Sequence, residues 1–102
     1  MALHKCMETS FSRAKNALNI ARHGLDFADF LGWDEEALTF EDDRFDYGET
    51  RWIDIGRIAG QAYMLVYTVI EEETEKHPEL WRLISWRRLS EKEALRYERH
   101  RD

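Results

Sequence analysis

Apolar positions recur at helical spacing early in the chain and at alternating or continuous spacing later, so the pattern predicts helices first, strands next and a closing helix. Phe11, Ala14, Leu18, Ala21 and Leu25 follow one another at intervals of three and four, which predicts a helix with that stripe buried. Ser10 or Ser12 can cap its start, and Gly24 after His23 suits a left-handed C-terminal cap. Lys15, Asn19 and Arg22 repeat at the same spacing on another face, and such a polar line ordinarily faces solvent. Asp26 can cap a second, short helix carrying Phe27, Ala28, Phe30 and Leu31, which Gly32 would end.

Ala37-Leu38-Thr39-Phe40 reads as a strand, Tyr47-Gly48 as a turn and Arg51 to Gly56 as a second strand. Ala59-Gly60-Gln61 reads as a hairpin loop leading into Ala62 to Val69. That run is almost wholly apolar, as a central strand must be. A charged segment from Glu71 to Glu79 holds the only proline, Pro78, and separates it from a further strand, Leu80 to Trp86. Ser90 and Glu93 form a capping box that opens a last helix with Ala94, Leu95 and Tyr97. The expected fold class is α+β: an antiparallel sheet meander with two N-terminal helices and one C-terminal helix, forming a single domain over residues 1–102.

Composition narrows the function. The 102 residues are 43% apolar, enough for one core, and contain no apolar run approaching the roughly 20 residues of a membrane helix. The expectation is a cytoplasmic protein. The single cysteine, Cys6, has no internal disulfide partner, and four scattered histidines make no zinc set, so neither metal nor cofactor is expected. A net charge of −6 opposes phosphate binding when spread evenly. Here it is segregated: residues 34–50 hold eight acids against one arginine, and residues 82–102 hold seven basic side chains against four acids. A positive site can coexist with the acidic total.

The chain has no Gly-rich phosphate loop, no His-Glu-x-x-His, no Cys-x-x-Cys and no Gly-x-Ser-x-Gly, which removes most nucleotide-dependent, zinc and serine-hydrolase chemistry. What remains is arginine. In Arg82-Leu83-Ile84-Ser85-Trp86-Arg87, strict alternation sends Arg82, Ile84 and Trp86 to one face and Leu83, Ser85 and Arg87 to the other. Each guanidinium among apolar neighbours calls for a carboxylate or a phosphate. Arg44, Tyr47, Glu49 and Arg51 crowd one turn, where a structural ion pair is the plainer reading. His23 suits either a general base or a cation at a helix C-terminus. Of the four tryptophans, most are needed for the core, and Trp86 beside Arg87 is the candidate for stacking on a base.

In order, these pieces resemble the BrnT toxin family over about Phe11 to Tyr97. The resemblance rests on Lys15-x-x-x-Asn19-x-x-Arg22-His23-Gly24-Leu25-x-Phe27, Thr39-Phe40-Glu41-Asp42-x-Arg44-x-x-Tyr47-Gly48-Glu49-x-Arg51-x-x-x-Ile55-Gly56-Arg57, Val66-Tyr67-Thr68, and Arg82-x-Ile84-Ser85-x-Arg87 with Glu93 and Tyr97. It implies a RelE-like fold, a type II toxin whose endoribonuclease activity inhibits translation, and a BrnA-like ribbon-helix-helix antitoxin. The two would form a hetero-oligomer that meets DNA only through the antitoxin. For metal-independent cleavage, Arg82 and Arg87 with Arg44 or Arg51 would clamp phosphate, His23 or Glu49 would be the base, and Lys15 the acid or a third cation. Asn19, Arg22, Tyr47, Ser85 and Trp86 would contact RNA. The chain departs from the pattern at Phe11-Ser12, where Trp-Asp is usual, in its longer acidic loop and at Trp86. The acidic segments and the altered Phe11-Ser12 favour the alternative, a weakened or inactive module that binds its antitoxin and modulates promoter repression.

Overall fold

The computed structural model describes residues 7–99; His4, Cys6 and His100 lie outside them. Strands β1 (Met7–Ser10), β2 (Leu38–Glu41), β3 (Trp52–Ile58), β4 (Gln61–Glu71) and β5 (Glu79–Arg88) form one sheet in the order β1-β5-β4-β3-β2. Helix α1 (Arg13–His23) lies against β5, and α2 (Glu91–Glu98) follows it in the chain. The nearly all-apolar β4 does occupy the centre, with Ala59 (φ 51°) and Gly60 (φ 81°) making the two-residue turn that joins it to β3.

The sheet is mixed rather than an antiparallel meander. β1 joins β5 in parallel, Met7 beside Glu79 and Ser10 beside Arg82, an edge pairing that four polar-rich residues gave no reason to expect. The expected second N-terminal helix is also absent. Asp26 caps as anticipated, but only a three-residue 3-10 turn, Phe27–Asp29, follows before the chain extends at Phe30. That brevity lets Phe27 and Phe30, both essentially inaccessible, point into the sheet together with Leu65, Tyr67, Trp81, Leu83 and Trp86.

The opposite face carries Ile53, Ile55, Ala62 and Val66 beneath Leu89 and Ala94, with Tyr97 of α2 packed alongside. Ser90 and Glu93 form the expected capping box of that helix. Two features of this frame position the candidate site.

The first is a bulge. Ser85 pairs with Val66 and Leu83 with Tyr67, leaving Ile84 without a partner on β4. The extra residue breaks the two-residue alternation. Trp81, Leu83 and Trp86 enter the aromatic core, while Arg82, Ile84, Ser85 and Arg87 share the other face. Strict alternation, as read from sequence, would have separated the two arginines.

The second is the seating of α1. β1 covers β5 only as far as Arg82, and beyond it the side-chain amide of Asn19 acts as a substitute strand. Its Oδ1 accepts from Trp86 N (2.9 Å), while Nδ2 donates to Trp86 O (2.9 Å) and Leu25 O (3.0 Å). Asn16 fixes the following turn, accepting from Phe27 N and donating to Asp26. The helix therefore points asparagines at the protein, and the middle of the anticipated buried stripe is turned outward: Ala14 and Ala21 are exposed and Leu18 is 52% exposed, while Phe11 and Leu25, just outside the helix at either end, pack into the core as expected.

Candidate active site

Seating α1 beside the bulge opens a cleft of about 100 Å³ with Asn19 at its base. Lys15, Leu18, Arg22 and His23 come from the helix, and Ile84 and Ser85 from β5. Ser12 caps the helix by accepting from Lys15 N at 3.0 Å, and Gly24 (φ 70°) ends it immediately after His23. The imidazole is thereby held at the C-terminal end of the cleft. Desolvation lowers the His23 pKa below its ordinary value, and the charges of Arg87 and then Arg22 lower it further. At neutral pH the ring is thus uncharged and able to accept a proton, with two guanidinium groups nearby. Arg88 donates to the His23 carbonyl oxygen (3.3 Å) and adds a further cation.

Along the same face of β5, Glu49 bridges Arg82 and Arg51. The pairing with Arg82, followed by that with Arg51, lowers the Glu49 pKa despite desolvation. A carboxylate so held is a poor proton acceptor and a good tether. Arg51 also lies over the Tyr47 ring, 4.0 Å from its centroid. The chain of contacts continues through the Tyr47 hydroxyl to Asp42, which takes a two-pronged pair from Arg44 at 2.8 and 2.9 Å. Arg44 holds the Asp42 carboxyl down at about 2. Tyr47 and Arg44 are therefore built into the 42–51 turn, with Arg51 and Arg82 at its end toward β5.

Eleven of the twelve sequence-derived site residues fall into these two linked groups: Lys15, Asn19, Arg22, His23, Ser85 and Arg87 at the helix, and Arg44, Tyr47, Glu49, Arg51 and Arg82 at the turn. Two assignments change in kind. Asn19 is 4% exposed and fully engaged with backbone, so it shapes the cleft rather than contacting a ligand. Trp86, the candidate stacking ring, is also 4% exposed and packs against Phe30 and Tyr63 with centroids 5.5 Å away in each case. Its ring presents no face to a base, because the bulge turns it into the core. Arg88 was missed. It meets His23 across 65 positions of sequence, a distance at which no local pattern signals contact.

A larger pocket, about 340 Å³, opens on the opposite face and is lined by Trp33, Thr39, Tyr67 and Trp81 with Glu35, Glu36 and Asp54. Asp54 accepts from Trp33 Nε1, Thr39 Oγ1 and Tyr67 OH. Among the described residues the pocket's lining holds acidic side chains and no basic one, an arrangement that disfavours phosphate. The arginine-bearing face is the electrostatically suitable one.

No curated protein matches the chain. A family model described as the ribonuclease toxin BrnT of type II toxin–antitoxin systems matches residues 11–93, a span that includes α1, the 42–51 turn, β5 and the start of α2.

Proposed function

The chain belongs to the BrnT ribonuclease toxins of type II toxin–antitoxin systems, and from that premise we propose that it cleaves RNA without a metal ion in the cleft between α1 and β5. Cleavage in this way inhibits translation until a BrnA-like ribbon-helix-helix antitoxin neutralises the enzyme. The observation that carries the reading is the placement of the His23 imidazole in a cleft it shares with Lys15, Arg22 and Ser85, with the charges of Arg87 and Arg22 close enough to lower its pKa.

In this mechanism His23 takes the proton of the ribose 2′-hydroxyl as that oxygen attacks the adjacent phosphorus. The P–O5′ bond breaks, leaving a 2′,3′-cyclic phosphate and a 5′-hydroxyl. Arg22 and Arg87 neutralise the charge that builds on the phosphoryl oxygens, and Arg82 and Arg51 hold a neighbouring phosphate in exchange for part of their hold on Glu49. Lys15, at the other end of the cleft, protonates the departing oxygen. Glu49 positions Arg82 and is not the base, because its two arginines stabilise the carboxylate.

The departure from the family pattern at Ser12 does not favour an inactive module. Serine caps α1, the same structural task an aspartate performs at a helix start.

The deciding experiment incubates the purified chain with single-stranded RNA in EDTA. Wild type is expected to cleave and to leave cyclic phosphate termini, His23→Ala to lose about 10²–10⁴-fold in rate and Arg87→Ala about 10²–10³-fold. RNA left intact by wild type in EDTA would overturn metal-independent cleavage. Full activity in both variants would move the site elsewhere.

A further inference from the structure

We propose that the outward face of α1 is the docking surface for the antitoxin, and that an acidic amphipathic segment of the partner lies along it and closes the mouth of the cleft. The proposal rests on the toxin reading above and specifies how its partner engages.

A helix on the surface of a soluble protein ordinarily turns its apolar stripe inward and its polar face to water. In α1 the inward positions are Asn16 and Asn19, both engaged by hydrogen bonds, whereas Ala14, Ala17, Leu18 and Ala21 form the face away from the sheet. Each of these four is exposed, Leu18 to 52%, and Ile20 on the adjoining flank to 43%. At 100° per residue no charged side chain falls between Ala17 and Leu18 around the helix. The uncharged outward arc, with a large aliphatic group at its border, is the side of the helix open to a partner.

The borders identify the partner's chemistry. Lys15 and Arg22 flank the arc on the side of the cleft, and Arg13 flanks the other. The helix, Arg-Ala-Lys-Asn-Ala-Leu-Asn-Ile-Ala-Arg-His, contains no acid, in a protein whose net charge is −6. A second copy of this chain is a poor occupant, because a two-fold contact on this face would set its cations against their own images. An acidic amphipathic segment fits both features. Its apolar side chains cover Ala14, Ala17, Leu18 and Ala21, where small residues allow close approach, and its carboxylates meet Lys15 and Arg22.

Continuity with the cleft gives the contact its consequence. Leu18, Lys15 and Arg22 line the cleft as well as bordering the arc. A segment seated there covers the phosphate-binding groups and excludes RNA, so neutralisation and docking become one event.

The test uses the full chain and, as probe, the purified product of the reading frame adjacent to its own. Ala17→Glu/Ala21→Glu puts acid onto the outward face without touching the cleft residues. It is expected to raise the dissociation constant at least 100-fold while RNA cleavage stays within twofold of wild type. Ala21→Lys is expected to weaken binding at least tenfold less than Ala21→Glu. A dissociation constant within threefold of wild type for the double variant overturns the proposal. So does a self-association of the chain alone that the double variant abolishes, or failure of the probe to bind wild type. If the double variant folds poorly, hydrogen exchange on the wild-type complex decides: protection of amides 14–22 on binding is expected, and unchanged exchange there refutes the surface. Absence of RNA cleavage by wild type would count against the ribonuclease reading and leave these binding results interpretable.

Discussion

Asn19→Ala would orphan the backbone N–H and carbonyl of Trp86 and remove the side-chain donor to Leu25 O, all in a buried setting. Unpaired buried groups of this kind cost about 1–3 kcal/mol each. With partial rescue by water, a loss of about 2–4 kcal/mol is expected, lowering the melting temperature by roughly 10 °C or more; thermal denaturation followed by circular dichroism measures it. A fall of under 2 °C would mean that the amide does not hold the edge of β5. His23 gives a second test at this scale, in its pH dependence. Its folded pKa lies below the ordinary 6.5, so below pH 6.5 the unfolded chain takes up a proton that the native imidazole resists. The histidine therefore disfavours the native state progressively as pH falls through that window, and has no such effect above it. Removing one neighbouring cation with Arg22→Ala should move the titration upward, toward 6.5, in a proton NMR titration. A His23 that titrates above 6.5 in wild type would remove the electrostatic ground for assigning it as base. Glu49→Gln separates the two base candidates: it should lower kcat about tenfold by loosening Arg82 and leave the acid limb of the pH–rate profile where it was, whereas a base would shift or abolish that limb.

At the level of elements, the parts of the fold governed by local chemistry were legible and those governed by distant contacts were not. Ser12, Gly24, Ser90 with Glu93, and Ala59-Gly60 act as their local chemistry suggests, and the apolar run of β4 marks the centre of the sheet. β1 escaped notice because Met7–Ser10 finds its partner across some seventy residues of sequence and lacks an alternating pattern. The face of α1 was misread because apolar periodicity assumes that the apolar side is the packed side. Here an open strand edge demands hydrogen bonds, and asparagine supplies them. For the site the same division holds: the ordered pattern proposed residues that the fold brings near one another at α1 and at the 42–51 turn, but the bulge at Ile84, which unites Arg82 with Ser85 and Arg87 on one face and sends Trp86 inward, leaves no mark in sequence. Gly56 of β3 shows another distant constraint. A Cβ built there would come within 2.4 Å of the Trp33 ring, whose Nε1 is tied to Asp54 at 3.0 Å. Gly56→Ala must displace the indole or the strand and is expected to destabilise by about 1–3 kcal/mol, with a change in tryptophan emission. Unchanged stability would indicate that the Trp33 side moves freely, contrary to its packing against Phe30.

At the scale of the molecule, the described residues place an acidic pocket on one side of the sheet and a group of cations on the other, and that arrangement bears on how an acidic protein meets a polyanion. Glu35, Glu36 and Asp54 line the pocket on one side of the sheet, while Lys15, Arg22, Arg51, Arg82 and Arg87 are the cations the proposed mechanism sets against phosphate on the other. Long-range repulsion between the acidic total and RNA is screened by salt over a Debye length of about 8–10 Å under ordinary ionic conditions, but contacts between these cations and phosphates weaken as salt rises, because each condensed counterion they release gains less entropy in a more concentrated bulk. For single-stranded nucleic acid the logarithm of affinity falls by about 0.7 per phosphate contact for each decade of salt. Five contacts predict that a fourfold rise, from 50 to 200 mM, weakens binding of an uncleavable 2′-O-methyl RNA about 100-fold. Arg82 and Arg87 are already paired with Glu49 and Glu93, so exchanging carboxylate for phosphate releases fewer ions from those two, and a slope reduced to about three contacts still corresponds to nearly 20-fold. Arg22→Ala should lower the slope by close to one contact, whereas Tyr47→Phe should leave it unchanged. An affinity that varies less than threefold over this range would mean that binding is dominated by stacking or by uncharged hydrogen bonds, and the segregated cations would then need another ligand.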